Sequence, residues 1–88
     1  MDENTILGQL EEVARGLAIQ IRYEPIKREG LFRAGGLCRL KGEHVLIIDS
    51  KATTREKIQN LARAVNHFDL DQVYLRPGLR EFLDDFSE

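Results

Sequence analysis

The sequence has little of what usually announces a function. It has one cysteine, Cys38, so no disulfide forms within the chain, and a lone thiol suits a reducing cytoplasm. Neither sign of charge dominates: 13 Lys and Arg stand against 15 Asp and Glu, a net of -2. A balance this even gives no whole-molecule pull toward nucleic acid or an anionic membrane. Long apolar runs are missing too. The longest, Val45-Leu46-Ile47-Ile48, is far short of the ~20 residues that cross a bilayer. The opening Met1-Asp2-Glu3-Asn4 has neither the basic start nor the apolar stretch of a secretion signal.

What remains is ordinary globular material: 88 residues, 42% hydrophobic and 32% charged, enough for one domain over residues 1–88 with a single small core. Residues 4–17 predict a helix, with Ile6, Leu10, Val13 and Leu17 at helical spacing, Asn4 or Thr5 as cap and Gly16 near the end. The period then falls to two. Leu17, Ile19, Ile21 and Tyr23 alternate with polar neighbours, which predicts a half-buried strand ended by Pro25. Residues 25–35 are irregular, and Leu31 and Phe32 make them a loop that packs down or covers something. A hairpin follows, with strands at 37–40 and 44–49 around Lys41-Gly42-Glu43. Its second strand has no polar interruption from Val45 to Ile48, which places it at the sheet centre. Thr53-Thr54-Arg55-Glu56 reads as a capping box before a helix with Ile58, Leu61, Ala62, Val65 and Phe68 on one face. Val73-Tyr74-Leu75 is a short strand or extended piece. Pro77 opens a last helix that turns Leu79, Phe82, Leu83 and Phe86 inward. The expected fold is α+β, in the order α-β-β-β-α-(β)-α. It has a three- to four-stranded, mainly antiparallel sheet, with helices packed mainly on one face.

Chemistry is sparse. Soft metal ligands are limited to Cys38, His44 and His67, with no CxxC and no paired HxxxH, so no metal and no cofactor is expected. Cys38 and His44 lie on paired strands. One residue of register decides whether they share a face, and so whether His44 can act as base to a thiol nucleophile. Arg39, beside Cys38, points to the opposite face by alternation. Asp49 ends the buried strand, where functional side chains often sit, yet with Ser50 it equally satisfies turn amides. Asp69 and Asp71 read as a solvated connector. Gly30, Gly35 and Gly36, near Arg28 and Arg33, match no phosphate-loop pattern.

Charge is nevertheless uneven. Residues 22–41 carry a net of +4 and residues 69–88 a net of -4, a pattern that pairs within the fold or between subunits. The basic stretch lacks the interleaved aromatics of single-strand nucleic-acid platforms.

The runs Gly35-Gly36-Leu37-Cys38-Arg39-Leu40-Lys41-Gly42, Val45-Leu46-Ile47-Ile48-Asp49 and Val73-Tyr74-Leu75-Arg76-Pro77-Gly78-Leu79-Arg80 resemble a group of small bacterial proteins of unknown function. The resemblance covers about residues 10–83. It implies a cytoplasmic bacterial protein and is silent about activity. Residues 61–68 are more weakly similar to the zinc helix of HExxH metallopeptidases. Arg63 stands at the first His position, Ala64 at the Glu, and His67 alone remains, so peptidase chemistry does not carry over.

Three functions stay open. The first is a non-catalytic interaction or self-association module, a possible homodimer or binder of a protein partner, and it fits the absence of a catalytic set. The second is a small-molecule or anion-binding domain, or weak enzyme, using Arg33, Cys38, Arg39 and Asp49. The third is a nucleic-acid accessory protein using the basic segment. The reading as a whole leans against catalysis.

Overall fold

A computed structural model describes residues 2–25 and 35–86. The elements are α1 (Glu3–Gly16), β1 (Ile19–Glu24), β2 (Gly35–Leu40), β3 (Glu43–Asp49), α2 (Thr54–Val65) and α3 (Pro77–Phe86). The expected loop over 25–35, with Arg33, Leu31 and Phe32, falls almost wholly outside the described residues.

Local chemistry sets each boundary. The Asp2 carboxylate accepts from the Thr5 amide at 2.7 Å, so α1 is capped ahead of the Asn4 or Thr5 expected from sequence. That bond holds the Asp2 carboxyl below its ordinary pKa. At the other end Gly16 stays helical, and the chain turns out through Ala18 at φ 63°. The Leu17 amide reaches Val13 O at 3.0 Å and the Ala18 amide reaches Arg15 O at 3.0 Å. The capping box of α2 is present in both directions: Thr53 Oγ1 accepts from the Glu56 amide, and Glu56 Oε1 accepts from the Thr53 amide, each at 3.1 Å. Pro77 is the first residue of α3, where its missing N–H costs nothing.

The sheet has three strands in the order β1-β3-β2. The hairpin turns through Lys41 at φ 52° and Gly42 at φ 81°; two left-handed residues match the twist of the strands they join. It pairs β2 with β3 antiparallel, Cys38 opposite Val45 and Arg39 opposite His44. β1 pairs with β3 in parallel, Ile19 opposite His44 and Tyr23 opposite Ile48. The sheet is therefore mixed. The chain leaves the end of β1, starts β2 on the far edge, and the hairpin brings β3 back between the two. Alternation in sequence predicts which side chains share a face but carries no information about strand direction. The optional fourth strand is absent among the described residues. Residues 73–75 follow a turn closed by the Val73 amide on Leu70 O at 3.1 Å.

β3 is central, as its unbroken apolar run requires, with Leu46 and Ile48 essentially buried. Alternation and register put Ile19, Ile21 and Tyr23 of β1, His44, Leu46 and Ile48 of β3, and Leu37 and Arg39 of β2 on one face. On that face the sheet meets the helices. Leu10 and Ala14 of α1, Ile58, Leu61, Ala62 and Val65 of α2, and Leu79 and Leu83 of α3 join Leu46 and Ile48 in one core. Leu75 adds to it from the irregular segment, so its apolar character serves packing without a strand. The opposite face carries Gln20, Arg22 and Glu24 of β1, Val45, Ile47 and Asp49 of β3, and Cys38 and Leu40 of β2. No described helix is long and apolar enough to cross a membrane.

Candidate functional site

The register separates the residues that sequence reasoning grouped. Cys38 pairs with Val45 and His44 with Arg39, so thiol and imidazole lie on opposite faces of the sheet. His44 is taken up by Phe68, edge to face at 4.9 Å between ring centroids, and Cys38 Sγ lies 3.9 Å from Gly36 O. Asp49 shares the Cys38 face but lies roughly 13 Å further along the strand at ~3.3 Å per residue. Its Oδ1 accepts from the Lys51 amide at 3.0 Å, the turn role open to it from sequence. Asp69 does the same for the Asp71 amide at 2.9 Å. Arg39 is exposed on the helix-side face of β2. Arg33 lies outside the described residues. Thus Cys38, Arg39 and Asp49 do not converge. His67 sits past the end of α2, and no group of three potential metal ligands occurs among the described residues.

Three concave places can be distinguished among the described residues. One, about 320 Å³, lies between α1 and the segment leading into α3. Gln9, Val13 and Gly16 line one wall and Val73, Tyr74 and Leu79 the other, with Glu12 and Arg76 at its margins. Tyr74 is 80% exposed. A second groove, about 280 Å³, lies between Ile6, Ile58, Phe82 and Phe86 and is spanned by the Glu3–Arg55 ion pair. The third, about 100 Å³, is a cleft between α2 and β2 lined by Asn60, Arg63 and His67 against Gly36 and Leu37.

A scan against protein-family models, a search of curated proteins and a search of solved structures each find no match. The site must be read from its own chemistry.

The residues that line these places were legible only in part. Gln9, Val13 and Gly16 recur at helical spacing on α1, and Gln9 interrupts the apolar face between Ile6 and Val13. Asn60, Arg63 and His67 recur at the same spacing on α2, but that helix is read most readily from its apolar face. The long-range step that brings 73–79 onto α1 leaves no local trace.

One polar cluster outside these grooves ties the layers together. The Tyr23 hydroxyl donates to Glu11 Oε2 of α1, and Lys57 Nζ of α2 lies 5.5 Å from the Tyr23 ring centroid. Burial pushes the Tyr23 phenol above its ordinary value of 10.0, and the Glu11 carboxylate, as acceptor and as negative charge, pushes it further. The folded state therefore holds this proton more tightly than the unfolded chain does. The stability this confers is complete below 10.0 and declines as pH rises above it toward the raised value. Thermal melts from neutral pH upward should show that decline, and it should be shallower in Tyr23→Phe. Parallel alkaline slopes for the two proteins would exclude Tyr23 as its source.

Proposed function

We propose that the chain is a non-catalytic interaction module that associates with a second copy of itself through the groove between α1 and residues 73–79. Tyr74 carries this reading: it is 80% exposed and lines the 320 Å³ groove. Tyrosine and arginine are the residue types that most often anchor protein interfaces, because a rigid ring covers much area at small entropic cost. The margins of the groove support a like partner. Glu12 flanks one side and Arg76 the other, so a two-fold arrangement sets Glu12 of each copy against Arg76 of the next. The separation of Cys38 from His44 removes His44 as a base for the thiol, which favours binding over catalysis. A free, half-buried thiol also suits a cytoplasmic setting.

Sedimentation equilibrium tests the reading. The wild-type chain should form dimers, and Tyr74→Ala should weaken them by on the order of 2 kcal/mol, about 30-fold. Glu12→Arg should also weaken them, and adding Arg76→Glu to the same chain should restore them. A wild-type chain that stays monomeric at its solubility limit, or a Tyr74→Ala dimer as tight as wild type, overturns it.

A further inference from the structure

We propose that the cleft between α2 and β2 binds a single small oxyanion, a phosphate or carboxylate group, through Arg63 and Asn60 with His67 at its mouth. This site is independent of the self-association groove, which other elements line. Asn60 and Arg63 lie on one side of α2, where neighbours three apart lie ~5–6 Å from each other at Cβ, and His67 lines the same cleft just past the helix end. Across from them runs β2, with Gly36 contributing backbone and no side chain. The donors differ in kind, a guanidinium fork and a neutral amide, which is the combination that fixes the orientation of a planar or tetrahedral oxyanion.

Charge favours the same occupant. The ion pairs among the described residues are Arg22–Glu24 and Glu3–Arg55, and Arg63 takes part in neither. Arg39 adds a second guanidinium on the same face of β2 as Leu37, two residues along, and it too is outside both pairs. Among the described residues, the nearby carboxylates are engaged or turned elsewhere; Asp69, closest to His67 in the chain, accepts from the Asp71 amide. Glu56 is bound to Thr53 in the capping box at the far end of α2, and Glu43 and Asp49 lie on the opposite face of β3. The C-terminal end of α2 carries about half a negative charge, which the Arg63 guanidinium alone outweighs. The cleft's 100 Å³ equals roughly three waters at ~30 Å³ each, which accommodates one oxyanion group.

A bland alternative makes Arg63 no more than a counter-charge to the helix end. An amide-detected NMR titration of the wild-type chain with inorganic phosphate, at ionic strength held constant with chloride, separates the two. Saturable shifts should appear at the Gly36 amide, the Asn60 side-chain amide and Arg63 Nε–H. Arg63→Ala should weaken binding about tenfold or more, as loss of a charge-assisted hydrogen bond requires, and Asn60→Ala should weaken it less. Arg80→Ala, on α3, should titrate like wild type. A parallel titration with acetate shows whether a phosphate or a carboxylate fills the cleft better. Shifts that spread over the surface without saturating, or an Arg63→Ala chain that titrates like wild type, overturn the proposal.

Discussion

Replacing Leu61 with alanine should cost about 3 kcal/mol, and the melting temperature should fall by roughly 12–24 °C at the ~4–8 °C per kcal/mol expected for a domain of this size. Leu61 is 0% exposed and lies in the core shared by α1, α2, α3 and β3. Alanine removes the transfer energy of the missing carbons and leaves a cavity that helices on several sides cannot all collapse to fill. The loss matters because a domain this small has on the order of 4–13 kcal/mol to lose. Leu40→Ala is the matched control: the same atoms are deleted from a side chain that is 50% exposed on the sheet face that none of the described helices covers, and the change should stay within about 0.5 kcal/mol. Urea unfolding of the two variants decides the matter. Equal midpoints would mean that the packing around Leu61 is not what holds the helices to the sheet.

Gln9→Met should move stability the other way, raising it by about 1 kcal/mol. The Gln9 Oε1 atom is buried without a hydrogen-bond partner among the described residues. An orphaned amide oxygen forfeits its bonds to water and gains none in return, at a cost of ~1–3 kcal/mol. Methionine fills similar space with no polar atom and has nearly the same helix propensity, so the change isolates the orphaned group. Gln20→Met, on an exposed position of β1, should be close to neutral. A loss of stability in Gln9→Met would show that the oxygen is satisfied in solution by a water that methionine displaces.

Gln9 also illustrates what sequence does and does not reveal. Periodicity together with turn and cap signals located the described helices and strands because burial imposes its period on local sequence, and the capping box of α2 was readable in Thr53 and Glu56. The centrality of β3 was readable because two covered faces demand an unbroken apolar run. Strand direction was hidden: a parallel and an antiparallel partner leave the same alternation in β1. The position of Ala18 was hidden as well, since Gly16 is the better left-handed residue yet remains in the helix. For the site, sequence supplied the residue types but not their faces. Cys38 and His44 are close in the chain, and the register alone sends them to opposite sides. The polar stripe of α2 recurs at helical spacing in the sequence, but the wall of β2 set against it, like the wall that 73–79 raises against α1, arises from tertiary packing, which no local signal encodes.

The mixed sheet has a consequence for how the chain reaches its fold. The β2–β3 pair is closed by a turn of two residues, and such hairpins form in ~1–10 μs. β1 has no such local route. Its first residue, Ile19, meets His44 of a strand that lies beyond β2 in the chain. Loop closure thus sets an order of assembly: hairpin first, then β1 onto a strand already in place.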